Sequence, residues 1–155
     1  HKKVRRGRSA ALNMVITETG AGKAVGQVLP ELKGKLTANA VRVPTPNVSL
    51  AIINLRFAKD ITLEELNDFL RQKAFHSDLK EQIGFTNSPE VVSTDFVGDR
   101  HAGIIDSAAT IVNGNKCVLY VWYDNEFGYT AQLLGLAKEM VGLTYQRYPN
   151  FSEST

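Results

Sequence analysis

Apolar and polar residues alternate along this chain with two different periods, and the changes of period mark its elements. Leu12 to Ile16 predicts a short buried strand, and Thr19 to Leu29 predicts a helix that stops at Pro30. Val41 to Val43 reads as a strand halted by Pro44 and Pro46, and Val48 to Phe57 as a longer one. That long strand is apolar on both faces, with Val48, Leu50 and Ile52 on one and Ala51, Ile53 and Leu55 on the other, which predicts burial on two sides. Thr62 to Ala74 predicts a helix opened by a capping box, Thr62 with Glu65, and carrying the stripe Leu63, Leu66, Phe69, Leu70 and Ala74. Ala109 to Val112 and Lys116 to Tyr123 flank Asn113, Gly114 and Asn115, the pattern of an antiparallel hairpin. A last helix is expected from about Asn125 to Leu143, with Phe127, Ala131, Leu134, Ala137 and Val141 along one side. Hairpins mixed with long helices predict an α+β fold, a largely antiparallel or mixed sheet covered by helices on one face.

Length sharpens this picture to one expected domain over 1–155, with 149–155 as a tail, because 155 residues at 43% hydrophobic content bury one substantial core. No apolar stretch reaches the ~18 residues that cross a bilayer, and no signal-peptide core follows HKKVRRGR, so cytoplasm is the expected location. A single cysteine, Cys117, forms no internal disulfide, in keeping with a reducing compartment. The start at His1 rather than Met reads as a cut end. Five of the 18 Lys and Arg (Lys2, Lys3, Arg5, Arg6, Arg8) lie in the first eight residues, leaving 13 against 16 acidic residues in the body. A basic arm without interleaved aromatics reads first as a solvated or partner-facing segment, and second as an anion- or RNA-binding arm.

Candidate chemistry begins at TGAGKAVG, where glycines follow a strand and open a helix. A phosphate-binding Walker loop needs Gly in place of Thr17 and Ser or Thr in place of Ala24, and a dinucleotide fingerprint needs its third glycine at Val25. Both fail. What remains is a helix N-terminus at Thr19 and Gly20 whose free N–H groups and dipole suit an anion, with Thr19 as a candidate cap. Arg42 in VRVPTP offers a forked donor to phosphate and would equally serve an ion pair. His1, His76 and His101 show no zinc spacing, and Cys117 sits within an apolar strand as an inert thiol would. No nucleophile and base pair is evident. Tyr123, Asn125 and Tyr129 cluster where a strand turns into the last helix, a place that suits a site or a core equally.

Six strings in this order, RRGRSAALN, TETGAGKAV, LPELKGKL, VRVPTPNVS, VVSTDFVG and WYDNEFGY, give the chain its resemblance to the catalytic domain of the glyceraldehyde-3-phosphate dehydrogenases. The resemblance covers nearly the whole chain. It implies an NAD-dependent oxidoreductase of glycolysis, cytoplasmic and homotetrameric, acting on glyceraldehyde 3-phosphate and inorganic phosphate. In that family a Cys attacks the aldehyde, hydride passes to the nicotinamide, and phosphate releases the thioester as 1,3-bisphosphoglycerate, with a His as base. Both residues precede the segment that HKKVRRGR resembles. No catalytic residue is therefore assigned, the NAD-binding Rossmann domain is expected to lie outside this sequence, and the chain by itself is expected to be inactive.

What carries over by resemblance is binding. Arg42 resembles the arginine that touches both substrate phosphate and inorganic phosphate, Thr19 and Gly20 the inorganic-phosphate site, and Arg6 a further arginine nearby. Asn125 resembles the residue that holds the nicotinamide carboxamide, with Tyr129 beside it and Tyr123 as a wall. The basic start resembles part of a loop between subunits, and the doubly apolar strand a subunit interface. From the histidine spacing, the apolar run lengths and the lack of aromatics in the basic arm, no metal, no membrane contact and no nucleic acid are expected. An erythrose-4-phosphate dehydrogenase and a non-catalytic anion- or RNA-binding module are the alternative functions.

Overall fold

The computed structural model describes residues 4–8 and 11–143 of the chain. It is an α+β structure dividing into two compact units, His1–Pro46 and Asn47–Thr155.

The first unit is a two-stranded antiparallel ribbon carrying a short helix. It runs through a 3-10 turn, Val4–Gly7, strand β1, Val15–Glu18, helix α1, Ala21–Val28, a second 3-10 turn, Pro30–Leu32, and strand β2, Asn39–Arg42. Strand β1 starts later than the apolar pattern predicts, leaving Leu12 and Met14 exposed. The register explains this. Val15 pairs with Arg42, so an earlier start would set Met14 against Val43 and Asn13 against Pro44, which has no N–H to donate. Helix α1 ends as expected before Pro30, with Leu29 at φ −118 and ψ 85, because a residue preceding proline is pushed out of the helical region.

The second unit is a five-stranded sheet. Its elements are β3, Ser49–Arg56, α2, Leu63–His76, β4, Ile83–Thr86, a 3-10 turn, Ser93–Phe96, β5, Gly103–Asp106, β6, Ile111–Asn113, β7, Lys116–Tyr123, and α3, Phe127–Met140. The order is β3-β7-β5-β4, all antiparallel except β4 with β5, and β6 pairs with the first part of β7 on the side that β5 occupies further along. The predicted hairpin is present: Asn113 pairs with Lys116, and Gly114 at φ 60 fills the first loop position, as a type II′ turn requires. The capping box is present too. The Glu65 N–H donates to Thr62 Oγ1 (3.1 Å), while Glu65 Oε2 accepts from the Thr62 N–H (2.8 Å) and holds the carboxyl below its usual pKa.

Paired residues on β3 and β7 share a face, and the two faces differ in what covers them. Cys117 and Leu119 pack under Leu66 and Leu70 of α2, with Phe57, Ile61, Val112 and Val121 around them. On the opposite face Trp122 and Ile104 pack with Phe96, Val48 and Val91, and the Phe96 and Trp122 rings stack at 5.5 Å. Further along this second face Leu50, Ile52 and Ile111 are exposed. The burial expected for this strand on two sides is therefore not found: no residue of β3 is buried, and Ile53 and Leu55 on the α2 side are exposed as well, because α2 covers β7 rather than β3. The α2 stripe divides: Leu66, Leu70 and Ala74 face inward, while Leu63 and Phe69 are exposed. The apolar side expected for α3 is uncovered at Phe127, Leu134 and Val141, and Gly128 is its only buried residue. A Cβ on Gly128 would lie 2.6 Å from the His101 carbonyl oxygen, so the backbone approach there admits no side chain.

Strands β4 and β5 and the three 3-10 turns were not expected from the pattern. IGFT and GIID are each four residues long and contain glycine, too short for a period to declare itself. Their pairing is a tertiary event.

Candidate functional site

In the first unit Thr19 and Gly20 occupy the step from β1 into α1. Gly20, at φ −83 and ψ −1, is the N-cap, one residue later than the expected Thr19, and no side chain caps the helix. The Thr19 hydroxyl instead accepts from the Ala21 N–H at 3.3 Å. The Gly20 carbonyl takes the Ala24 N–H, so by helix geometry the N–H groups of Gly22 and Lys23 are those left for an external acceptor. Arg42 is exposed at the end of β2 and pairs with Val15. Thr19 lies beyond the other end of the ladder, past Glu18 and Asn39. Four residue steps of strand, about 13 Å, separate them. A phosphate touching both therefore needs the Arg42 side chain extended along the ribbon. Arg6 stands in the 3-10 turn Val4–Gly7, and its side chain, like Lys2, Lys3 and the 149–155 tail, lies outside the described residues.

In the second unit the end of β7 is organised around Asp124, which is only 2% exposed. Its Oδ1 accepts from the N–H groups of Glu126 (3.0 Å) and Phe127 (2.9 Å), and its carbonyl oxygen accepts from Gly128 N–H (3.0 Å). These are the bonds of a helix N-cap, so Asp124 starts α3 in the physical sense. Its Oδ2 accepts from the Gly98 N–H (2.9 Å) and from Asn47 Nδ2 (3.0 Å). The Gly98 N–H, then the Phe127 N–H, with Glu126 and Asn47 adding to them against burial, pull the Asp124 pKa down to about 2.

Asn125, next along, is exposed, and its Oδ1 accepts from the Ser49 hydroxyl at 3.2 Å. Tyr123 is half-buried and pairs with Ser49 across the sheet, whereas Tyr129 is 71% exposed one turn into α3. The structure thus joins Asn125 to Tyr123 through Ser49, and adds Asp124, Asn47 and Ser49, to which sequence reasoning gave no role. Asp124 was detectable: an Asp immediately before a helical pattern is a cap signal. Asn47 was not, because its partner is 77 residues away.

Elsewhere in this unit, His101 Nδ1 lies 2.7 Å from Asp99 Oδ1, beside a cavity of about 250 Å³ walled by Phe75, Phe85 and Ile104. Cys117 is buried as expected, and desolvation raises its pKa, which leaves it a thiol at neutral pH. Among the described residues no group of three or more His, Cys, Asp or Glu could hold a metal ion, and no helix is long and apolar enough to cross a membrane.

Comparison with known proteins agrees with these motifs. The family model described as glyceraldehyde 3-phosphate dehydrogenase, C-terminal domain, matches residues 1–125. A glyceraldehyde-3-phosphate dehydrogenase-like protein of Pseudomonas aeruginosa (strain UCBPP-PA14) is 62% identical over 149 residues, which is 96% of this chain and 32% of that protein. Glyceraldehyde-3-phosphate dehydrogenase of Borreliella burgdorferi is 45% identical over 144 residues, 91% of this chain and 42% of its own length. Glyceraldehyde-3-phosphate dehydrogenase 1 of Bacillus subtilis is 46% identical over 138 residues, 88% and 41% respectively. The chain therefore spans between 32% and 42% of the length of these relatives. It belongs to the glyceraldehyde 3-phosphate dehydrogenase family, and the part of that family it represents is the C-terminal domain.

Proposed function

We propose that this chain is the substrate-binding domain of a longer, cytoplasmic, NAD-dependent phosphorylating glyceraldehyde-3-phosphate dehydrogenase of glycolysis. In this reading it supplies phosphate and nicotinamide contacts, while the nucleophile, the base and the nucleotide-binding fold come from sequence outside it. The observation that carries the reading is the anchored, exposed Asn125 amide within a chain of this family. Its Oδ1 is steadied by Ser49, so its Nδ2 hydrogens remain for the carboxamide of a cofactor. That donor set fits a nicotinamide, which when bound would accept hydride from the substrate. The exposed Tyr129 ring offers an apolar wall one turn away.

Phosphate recognition falls to Arg42, whose guanidinium is exposed, and to the Thr19–Gly20 helix terminus, with Arg6 as a further arginine. The open part of the second sheet face, Leu50, Ile52 and Ile111, suits burial against another subunit of a homotetramer. The test is turnover. The full-length protein should reduce NAD in the presence of glyceraldehyde 3-phosphate and inorganic phosphate, and the 155-residue chain alone should not. Faster turnover of erythrose 4-phosphate would overturn the triose assignment. Salt-sensitive RNA binding without any dehydrogenase activity would overturn the enzymatic reading as a whole.

A further inference from the structure

The ladder between β3 and β7 ends at Ser49 opposite Tyr123. Continued in register, it would set Val48 opposite Asp124 and Asn47 opposite Asn125. It does not continue. Val48 takes φ 71, in the left-handed region, and the side chains on either side of it bond instead to two successive residues: Asn47 Nδ2 to Asp124 Oδ2 at 3.0 Å, and Ser49 Oγ to Asn125 Oδ1 at 3.2 Å. A β-branched residue in that region is strained and persists only where its surroundings hold it. Here Val48 is 8% exposed, packed with Phe96, Ile104 and Trp122.

We propose that the corner Asn47–Val48–Ser49 is a positioning device that, together with Asp124, holds the Asn125 amide in place for the nicotinamide. The inference rests on the cofactor reading above and deepens it. An exposed Asn side chain interconverts between two amide orientations that exchange donor and acceptor. The Ser49 hydroxyl, donating to Oδ1 at 3.2 Å, restrains that rotation with Nδ2 outward. Asp124 locks the backbone on both sides of Asn125: its carboxylate takes the N–H groups of Glu126 and Phe127 ahead of it, and Gly98 and Asn47 hold the carboxylate itself. Ser49 and Asp124 act through Asn125 and are therefore positioning residues, whereas Asn125 makes the contact.

Calorimetric titration of the full-length protein with NAD and with ADP-ribose, which shares everything but the nicotinamide, tests this. Ser49→Ala should weaken NAD binding about fivefold, the worth of one net hydrogen bond, and leave ADP-ribose binding unchanged. Ser49→Thr should restore the NAD affinity. Asp124→Asn should show the same selective loss, and the strand-end Ser49 pair decides the matter if that variant folds poorly. An equal loss for both ligands would reduce the corner to a structural part and overturn the inference. So would unchanged NAD affinity in Ser49→Ala while Asn125→Ala loses it. Unchanged NAD affinity in Asn125→Ala would remove the cofactor reading and the inference together.

Discussion

Asp124 and Arg42 are charged side chains in opposite surroundings, one buried and one exposed. The Asp124 carboxylate is buried and saturated by N–H donors, so its ionisation belongs to folding. Its pKa lies near 2 in the folded protein, below the ~3.9 of an unfolded chain. The stability it contributes is therefore complete above about pH 5 and is lost as pH falls through 4 towards 2. Asp124→Asn should unfold more readily at pH 7 in urea and show a shallower loss of stability between pH 4 and pH 2 than the unsubstituted chain. Parallel slopes would mean that other carboxylates carry the acid response. Arg42 is exposed. In the full-length enzyme Arg42→Ala should raise KM for both phosphate-bearing ligands, a loss of roughly 2 to 4 kcal/mol at a charged contact. Unchanged kinetics would remove it from the phosphate site.

Single elements were the most readable features of the sequence, and they remain so where the local signal is chemical. Thr62 and Glu65 declare a helix start by their spacing, and both capping bonds form. Thr62→Ala should cost about 1 kcal/mol in denaturant unfolding. Leu66, at 5% exposure against Cys117 and Leu119, is where α2 is pinned to the sheet, and Leu66→Ala should cost 2 to 5 kcal/mol by the ordinary range for such truncations. Phe69→Ala, on the exposed part of the same stripe, should cost far less in the same measurement. Equal losses at Leu66 and Phe69 would mean that the inward face of α2 is wrongly assigned. Helical spacing alone does not separate these two residues. Both lie on the stripe, and only the sheet beneath distinguishes them.

At the scale of the molecule, the uncovered apolar residues are the main consequence for behaviour. Leu50, Ile52 and Ile111 on the sheet, with Phe127, Leu134 and Met140 on α3 and Val141 just past it, are exposed in a chain that spans 42% and 41% of the length of the Borreliella and Bacillus relatives. Exposed apolar surface of this kind marks contacts with other protein. The isolated chain should bind a hydrophobic dye and self-associate with rising concentration in analytical ultracentrifugation. The full-length protein should bind far less dye per domain. A monodisperse, dye-silent isolated chain would show that these residues pack together in solution.

Sequence alone determined the family, the α+β class, the hairpin at Asn113–Lys116 and the cap of α2. Each of these is written in residues close together in the chain, where turn chemistry, capping and motif strings act. Tertiary structure decided the rest: the parallel pairing of β4 with β5, the half-open sheet face, the exposed side of α3, and the separation of Arg42 from Thr19 along their ribbon. It also decided that Asn125 is anchored at all. Its partner Ser49 and the partner Asn47 of Asp124 stand 76 and 77 residues earlier, and no local pattern specifies a hydrogen bond across that interval until β3 and β7 have paired.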